Sequence, residues 1–276
     1  MRNHNERRLL VSVITITLNS EKYIADTVQS IMSQSYPYIE HIVIDGASKD
    51  RTVAIVKELN PKAVIISEPD NGPLEAANKG LSIAKGDIIA FLHSDDYYAN
   101  EQVIQKVVDT FISNESVKVL YGIVQAVDSA DGKIIMRHGR PVTSKDFGLK
   151  YLKAVLEFDI MPGLAVFARK EVYDTIGLFS SEYAVIADGE YNLRVIKLYK
   201  PFFLNEVITI MRSGGISSQN VFKAHKAVYK LLRRENVSFI DALGYYFYCC
   251  IRTFFSKLFL NTGMRGIFLL YRRMKG

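Results

Sequence analysis

The sequence predicts an α/β protein, with a mostly parallel β-sheet flanked by helices. Short apolar runs alternate with segments of helical periodicity through the first hundred residues, in the repeating order strand then helix. One of these runs, Ile88 to Leu92, is apolar at every position and is preceded by Gly86. Strands buried on both faces are typical of parallel sheets, so we expect helices on both sides of this one.

Four strands are predicted in the N-terminal part: Leu9–Thr17, Ile39–Ile44, Ala63–Ser67 and Ile88–Leu92. Between the first two strands, Ile24, Val28 and Ile31 recur at helical spacing, and Asn19 or Ser20 is predicted to cap this helix. Pro73 suits the first turn of the alanine-rich helix that precedes Gly86. The links are short, as in a sheet built from βαβ units.

The C-terminal part is predicted to add antiparallel strands and then a helical tail. A helix is expected from Asn100 or Glu101, strands over 117–127, 134–136, 164–168 and 202–210, a helix introduced by Asp188, and irregular chain over 139–163. From Ser218 the pattern is helical to the end. We therefore predict an α/β domain over residues 1–217, divided at about residue 98, and a basic, aromatic helical extension over 218–276.

Composition indicates a globular protein of a reducing compartment. The chain has 276 residues, of which 49% are hydrophobic and 23% charged. Its two cysteines are adjacent, Cys249 and Cys250, and form neither a disulfide framework nor a four-ligand zinc site. No secretory signal is visible at the N-terminus, so a cytoplasmic location is expected.

The net charge of +6 is concentrated near the C-terminus. From Lys223 onward the chain holds 11 of its 35 Lys and Arg residues but 2 of its 29 Asp and Glu residues, and the preceding part is slightly acidic. A nucleic-acid groove would spread positive charge through the fold, so no nucleic-acid partner is expected. The asymmetry favours contact between the tail and an anionic surface.

Three predicted strands lead into carboxylates: Asp45, Asp70 and the adjacent pair Asp95 and Asp96. Ligands of parallel sheets bind beyond the carboxyl ends of the strands. Adjacent carboxylates need a counter-charge, and Mg²⁺ or Mn²⁺ held together with substrate phosphates would supply it. The alternative is a solvated turn whose aspartates cap helices.

Taken in order, these segments resemble glycosyltransferase family 2, whose members have the GT-A fold. The resemblance covers roughly residues 10 to 215 and rests on segments 12–19, 42–50, 67–72, 78–80, 86–87, 91–96 and 187–194. It is strongest to bacterial enzymes that build exopolysaccharide or O-antigen repeat units. It implies a nucleotide-sugar half over about 9–98 and an acceptor half over 99–217.

The resemblance also implies a role for each matching residue. Asp45 would contact the uracil of a UDP-sugar, Thr17 and Asp70 would line the base and ribose pocket, Asp95 would face the ribose or sugar, Asp96 would bind the divalent cation, and Asp188 would be the general base. Simpler interpretations remain open. Asp45 would merely cap a βα turn, Asp188 would be a helix N-cap, and Glu190 and Arg194 would form a surface ion pair.

The sequence departs from the family pattern at one residue and in one segment. His93 stands two residues before the acidic pair, where relatives often have an aspartate. The metal site would then carry less negative charge. Residues 160–167 lack the polar side chains that some relatives place before the acceptor strand, so the acceptor pocket is not identified by sequence.

The implied reaction is a single displacement that inverts the anomeric carbon, with a carboxylate taking the proton of the acceptor hydroxyl. Three rivals stay open. A nucleotidyltransferase would carry a glycine-rich loop after the first strand, where this chain has Leu18-Asn19-Ser20-Glu21. A receiver-type signalling domain would place its acidic pair after the first strand, and a binding protein would keep the fold without catalysis.

The tail is predicted to attach to the cytoplasmic face of the cell membrane. Residues 239–260 combine seven Phe and Tyr residues between positions 245 and 259 with Asp241, Arg252 and Lys257, which suits a helix lying in the headgroup region better than one spanning the bilayer. Residues 266–275 repeat the combination. A lipid-linked acceptor, implied by the resemblance, would explain such a tail. The alternative is a helix pair that packs on the core or forms a homodimer interface.

Overall fold

The computed structural model describes residues 8–143, 148–157, 159–213 and 221–261. The N-terminal part alternates strands with helices, as predicted. Its elements are β1 (Val11–Thr17), α1 (Ile24–Met32), β2 (Ile39–Asp45), α2 (Thr52–Leu59), β3 (Val64–Ser67), α3 (Pro73–Ile83) and β4 (Ile88–Phe91). Pro73 occupies the first turn of α3, where a missing backbone N–H costs nothing.

The following part is more irregular. It comprises β5 (Tyr97–Tyr98), α4 (Val103–Ser113), β6 (Val119–Val127), β7 (Ile134–His138), α5 (Gly148–Leu156), a 3₁₀ turn at Gly163–Ala165, β8 (Val166–Arg169), α6 (Lys170–Ile176), a 3₁₀ segment at Ser181–Ile186, α7 (Ala187–Leu198) and β9 (Phe202–Arg212). Two further helices follow, α8 (Val221–Arg234) and α9 (Phe239–Asn261).

The nine strands of the described residues all join one sheet, in the order β3-β2-β1-β4-β8-β6-β9-β5, with β7 paired to β6. The strands β1 to β4 are parallel to one another. Beyond β4 the sheet is mixed: β8 runs antiparallel to both β4 and β6, while β9 runs parallel to β6. The two predicted halves therefore share a single sheet, and the carboxyl ends of β1 to β4 meet at one edge.

Alternating residues of β1 bury themselves on opposite faces of the sheet. Val11 and Val13 pack into a core that includes Val107 and Phe111 of α4. Ile14 packs on the other face against Ala76 and other residues of α3. Side chains of a strand alternate between faces, so the run of apolar residues in β1 follows from burial on both sides.

One helix was not predicted. Residues 139–163 were expected to be irregular, but α5 lies within them. Its buried residues Ala154, Val155 and Leu156 belong to a core shared with α7 and α9. A helix of nine residues is marginal without packing, so its stability comes from contacts with distant segments. The predicted boundary between residues 217 and 218 lies outside the described residues.

The C-terminal helices pack on the rest of the protein. Leu231 and Leu232 of α8, and Ala242, Tyr245 and Cys249 of α9, are buried in the same core as α5 and α7. The Tyr245 hydroxyl donates a hydrogen bond to Glu157 just after α5, at 2.5 Å. The core-packing alternative therefore holds for one face of the tail. Residues 262–276, including the second aromatic and basic segment, lie outside the described residues.

Candidate active site

Three of the predicted donor-binding residues lie side by side at the carboxyl edge of the sheet. Thr17 and Asp45 end β1 and β2 and are paired in register. The Asp70 carboxylate rests on Gly46, where an added Cβ would come within 3.0 Å of its Oδ2 atom. A side chain at position 46 would push Asp70 aside, so the close packing of Asp70 explains why this residue is glycine.

Asp45 is completely buried, and its carboxylate is already bonded within the protein. Its oxygens accept hydrogen bonds from the Ser48 amide at 2.9 Å, from the Ser67 hydroxyl at 2.6 Å, and from the Ser48 hydroxyl. The carboxylate therefore fixes the loop that follows β2 against the end of β3. A contact between Asp45 and a nucleotide base would require this loop to shift, and that role stays a prediction.

Thr17 carries an unpaired polar atom. Its hydroxyl oxygen is buried and has no hydrogen-bond partner among the described residues. A buried hydroxyl without a partner is unfavourable by about 1–3 kcal/mol. A ligand group reaching the end of β1 would relieve this cost, which agrees with the predicted pocket.

The loop after β1 serves a different purpose from the predicted helix cap. Neither Asn19 nor Ser20 caps α1 through its side chain. The Asn19 side chain accepts a hydrogen bond from the Lys49 amide at 2.9 Å, and the Ser20 hydroxyl lies 2.8 Å from that of Ser94. These polar groups instead join the loops that follow β1, β2 and β4, which stiffens the edge of the sheet around the donor residues.

His93, Asp95 and Asp96 form a compact group after β4. One possible ligand atom from each lies within 4.8 Å of the others, and His93 Nδ1 is 4.0 Å from Asp96 Oδ2. Two carboxylates and an imidazole are suitable donors for a divalent ion such as Mn²⁺. The residues present thus fit the implied cation, and His93 stands among its candidate ligands.

Asp96 is nearly fully buried. Burial raises the pKa of its carboxyl to about 7, with a further increase from Asp95, while His93 and Arg212 act in the opposite direction. Buried carboxylates favour the neutral form unless a positive charge compensates them. A cation bound here would supply that charge.

Arg212, at the end of β9, is a site residue that the sequence reasoning missed. Its backbone amide donates to Asp96 Oδ1 at 3.1 Å and its guanidinium to the Asp95 carbonyl at 2.8 Å. The same guanidinium pairs with Asp26 of α1 and lies over the rings of Tyr23 and Tyr97. Arg212 thereby joins α1, the acidic pair and β9. The predicted strand ended at residue 210, so nothing in the sequence indicated this role for Arg212.

Asp188 approaches the same edge from the other half of the protein. It lies in the first turn of α7, but it does not cap the helix, whose N-cap residue is Ile186. Burial raises the pKa of its carboxyl, and His93 lies near enough to oppose that increase. No hydrogen bond from a described residue reaches this carboxylate, so it is available to accept a proton from a substrate.

A glycine makes room for Asp188. An added Cβ at Gly163 would lie 2.8 Å from the Asp188 carboxyl carbon, too close for any side chain. The chain just before Gly163 is also bonded to α7, since the Asn192 side chain donates a hydrogen bond to the Met161 carbonyl at 2.7 Å. The apolar segment 160–167 thus supports the position of Asp188 without adding polar groups of its own.

Glu190 and Arg194 do pair, at 3.0 Å, but Glu190 is buried rather than on the surface. Glu190 also pairs with Arg234 of α8 at 2.8 Å. Leaving a buried carboxylate without its partners is strongly unfavourable. This three-residue network therefore ties α8 to α7, the helix that carries Asp188.

Comparison with known families gives a consistent result. Residues 12–175 match the model described as "Glycosyl transferase family 2". An uncharacterized glycosyltransferase of Mycobacterium tuberculosis is 31% identical over 226 residues, which are 81% of this chain and 82% of the relative.

Two solved structures share the fold at low identity. The mannosyltransferase PcManGT from Pyrobaculum calidifontis, in complex with GDP-Man and Mn²⁺, is 18% identical, with a TM-score of 0.62 over 98% of this chain and 87% of that one. S. aureus TarS 1-349, in complex with UDP-GlcNAc, is 20% identical, with a TM-score of 0.59 over 80% of this chain. The present chain spans 65% of that TarS structure, a little under two thirds.

Proposed function

Because this chain belongs to glycosyltransferase family 2 and has the GT-A fold, we propose that it moves a sugar from a nucleotide-sugar to an acceptor hydroxyl. The donor is a UDP-sugar, and the acceptor is a glycan or a lipid-linked glycan used in cell-surface polysaccharide synthesis at the inner face of the cytoplasmic membrane. TarS and PcManGT, two structures with the same fold, hold UDP-GlcNAc and GDP-Man, which supports a nucleotide-sugar donor.

The observation that carries the proposal is the meeting of two chemically distinct groups at one edge of the sheet. His93, Asp95 and Asp96 form a group that could hold a cation, and the carboxylate of Asp188, the proposed base, lies near enough to His93 for the two side chains to interact electrostatically. A sugar transferase needs both: a positive charge near the leaving diphosphate and a base near the acceptor. Their proximity supports transfer over simple binding.

In the proposed reaction the acceptor oxygen attacks the anomeric carbon as the bond to the diphosphate breaks. The acceptor proton passes to Asp188, and the electron pair of the broken bond leaves with UDP. A divalent cation, Mn²⁺ or Mg²⁺, would neutralise the negative charge that develops on the diphosphate. The carbon inverts in this single step, so an α-linked donor gives a β-linked product.

Burial suits Asp188 to this task. A carboxylate with a raised pKa is a stronger base than one in water, and efficient bases have pKa values nearer the working pH. Thr17 and Asp70 are proposed to line the base and ribose pocket, with Asp45 fixing the loop that bounds it. Asp95 would face the ribose or sugar.

The test combines donor binding with turnover. Purified protein is titrated with UDP-sugars and GDP-mannose in Mn²⁺ and in EDTA, and nucleotide release is then followed with and without hydroxyl acceptors. We expect one nucleotide-sugar to bind more tightly with Mn²⁺, and Asp96→Ala to abolish that dependence. Equal donor affinity in Mn²⁺ and in EDTA would remove the cation from the proposal.

Asp188→Asn separates catalysis from binding. We expect donor affinity within about twofold of wild type and turnover reduced by about 100-fold or more, the usual loss of a general base. Asp109→Asn, at an exposed position on α4, is the matched control and should change neither quantity. Release of pyrophosphate from UTP and a sugar phosphate would instead support the nucleotidyltransferase. Donor binding without any turnover of the wild-type protein would support the non-catalytic alternative.

A further inference from the structure

The two C-terminal helices form an antiparallel hairpin that presents one continuous outer face. His225 near the start of α8 lies 2.9 Å from Thr253 in the second half of α9, and Tyr229 contacts Tyr246 nearer the turn. The inner face is occupied by the buried residues of both helices described above, which pack against α5 and α7. The outer face points away from that core.

The outer face of α9 is apolar. Ile240, Phe247, Ile251 and Phe254 are exposed by 80, 53, 55 and 61%. With a rotation of about 100° per residue these side chains fall within about 60° of one another, opposite the buried Ala242, Tyr245 and Cys249. A protein surface seldom exposes such a stripe unless it contacts something, so the stripe marks a surface for binding.

The outer face of α8 is basic. Lys226, Lys230 and Arg233 are exposed and share one side of the helix with Phe222, opposite the buried Leu231. Lys226 and Lys230 form no ion pair with any described residue. Both outer faces lie opposite the packed core, so the basic ridge of α8 runs beside the apolar stripe of α9.

We infer that this outer face of the α8–α9 hairpin rests on an anionic lipid surface, with the α9 stripe entering the headgroup region and the α8 ridge meeting lipid phosphates. Apolar and basic faces side by side are the features by which helices bind in the plane of a bilayer. Residues 262–276, which follow α9, add four Lys and Arg residues and no acid. The inference deepens the proposed function, on which it rests for a membrane-borne acceptor.

Charge favours lipid over a second copy of this chain. A two-fold contact through the same face would bring the Lys226 and Lys230 ridges of two subunits towards each other, with no acidic residue of α8 to pair with them. Among the described residues, no helix has the length and apolarity to cross a bilayer. The structural features fit a helix pair lying on the membrane.

Vesicle binding by the full-length protein tests the inference. Phosphatidylcholine vesicles are compared with vesicles containing about one-third phosphatidylglycerol, at low and high salt. We expect sedimentation with the anionic vesicles, weakened by salt. Lys226→Gln with Lys230→Gln should lower partitioning about 25-fold, at about fivefold per basic residue. Ile251→Asn should lower it about tenfold or more.

The matched controls change exposed residues of the same type elsewhere. Lys57→Gln with Lys62→Gln on and after α2, and Leu198→Asn on α7, should bind vesicles as the wild type does. No binding to anionic vesicles at low salt, or equal loss in the controls, would overturn the inference. So would self-association of the wild type that Ile251→Asn abolishes, because it would assign the face to a second copy.

Donor binding is measured on the same proteins without vesicles, which keeps the two proposals separate. If the protein binds vesicles through this face but binds no nucleotide-sugar, the proposed function fails and the lipid surface stands. If the variants leave the vesicles while donor affinity in Mn²⁺ is unchanged, both stand.

Discussion

Replacing Arg212 with alanine is expected to weaken the binding of Mn²⁺ with UDP by about 10- to 100-fold. The guanidinium holds the Asp95 carbonyl at 2.8 Å, and a hydrogen bond to a charged partner contributes about 1.5–3 kcal/mol. The Asp26 pair contributes less, because the Asp26 side chain is half exposed. Without the guanidinium, binding of Mn²⁺ and UDP has to order Asp95 and Asp96 as well. Each 1.4 kcal/mol of binding free energy used for that ordering lowers the affinity tenfold.

Arg169 offers a matched control for the loss of an arginine. It also donates to two backbone carbonyls, those of Val117 and Phe111, and lies over the Phe111 ring, but it sits at the opposite edge of the sheet. Both alanine variants should lose a few kcal/mol of stability in urea unfolding, since both remove charged hydrogen bonds. Only Arg212→Ala should weaken cation binding.

The assay is calorimetric titration of Mn²⁺ into each protein with UDP present, at a temperature where all are folded. Arg212→Lys is included because lysine keeps the charge but cannot bridge Asp95 and Asp26 with one planar group, so an intermediate affinity is expected. If Arg212→Ala and Arg169→Ala bind Mn²⁺ and UDP alike, Arg212 only stabilises the fold and does not position the acidic pair.

Two further predictions follow from Gly163 and His41. Gly163→Ala should displace the Asp188 carboxylate and reduce turnover about 100-fold, with donor affinity unchanged. The control Gly244→Ala, with open space around the glycine, should leave turnover unchanged. Equal turnover of the two variants would contradict the contact between position 163 and Asp188. His41 is buried, and burial lowers its pKa to about 4 from 6.5, so the unfolded state takes up a proton first as pH falls. The free energy of unfolding is not reduced by His41 above pH 6.5, where the histidine is neutral in both states, and it should fall by about 3 kcal/mol by pH 4. Urea unfolding across this range should show a smaller slope for His41→Gln, and identical slopes would refute the assignment.

The α8–α9 hairpin is linked to the candidate active site through ion pairs. The network of Glu190, Arg194 and Arg234 ties α8 to the helix that carries Asp188. The outer side of α8, which we propose meets lipid, is therefore joined to the helix of the proposed base by one buried carboxylate, Glu190. We expect substitutions on the outer face, which is exposed, to leave the position of Asp188 unchanged.

Several features of the fold were predicted correctly from the sequence because they depend on local pattern. The strands β1 to β4 are short apolar runs, and their lengths and order alone indicate parallel βαβ units. The carboxylates Asp45, Asp70, Asp95 and Asp96 stand where those runs end, so their gathering at one edge follows from the parallel arrangement. The family and the α/β fold were likewise confirmed.

Other features were decided by packing between distant segments. Arg212 reaches Asp96 across 116 positions of sequence, and no local pattern indicates that contact. Asp45 looks like an open ligand in the sequence, but Ser48 and Ser67 occupy its oxygens once β2 and β3 pair. The helix α5 forms where irregular chain was predicted, because α7 and α9 bury its apolar side.

The tail illustrates the same division. Its residue pattern predicted helices, which the structure has over 221–234 and 239–261, and its composition is aromatic and basic by itself. Which aromatic side chains are buried and which are exposed depends on the rotation of each helix against the core, as Tyr245 and Phe247 demonstrate only two positions apart. Helical periodicity is a local property of the sequence, whereas which face of a helix is covered, and by which neighbour, depends on the packing of the whole molecule.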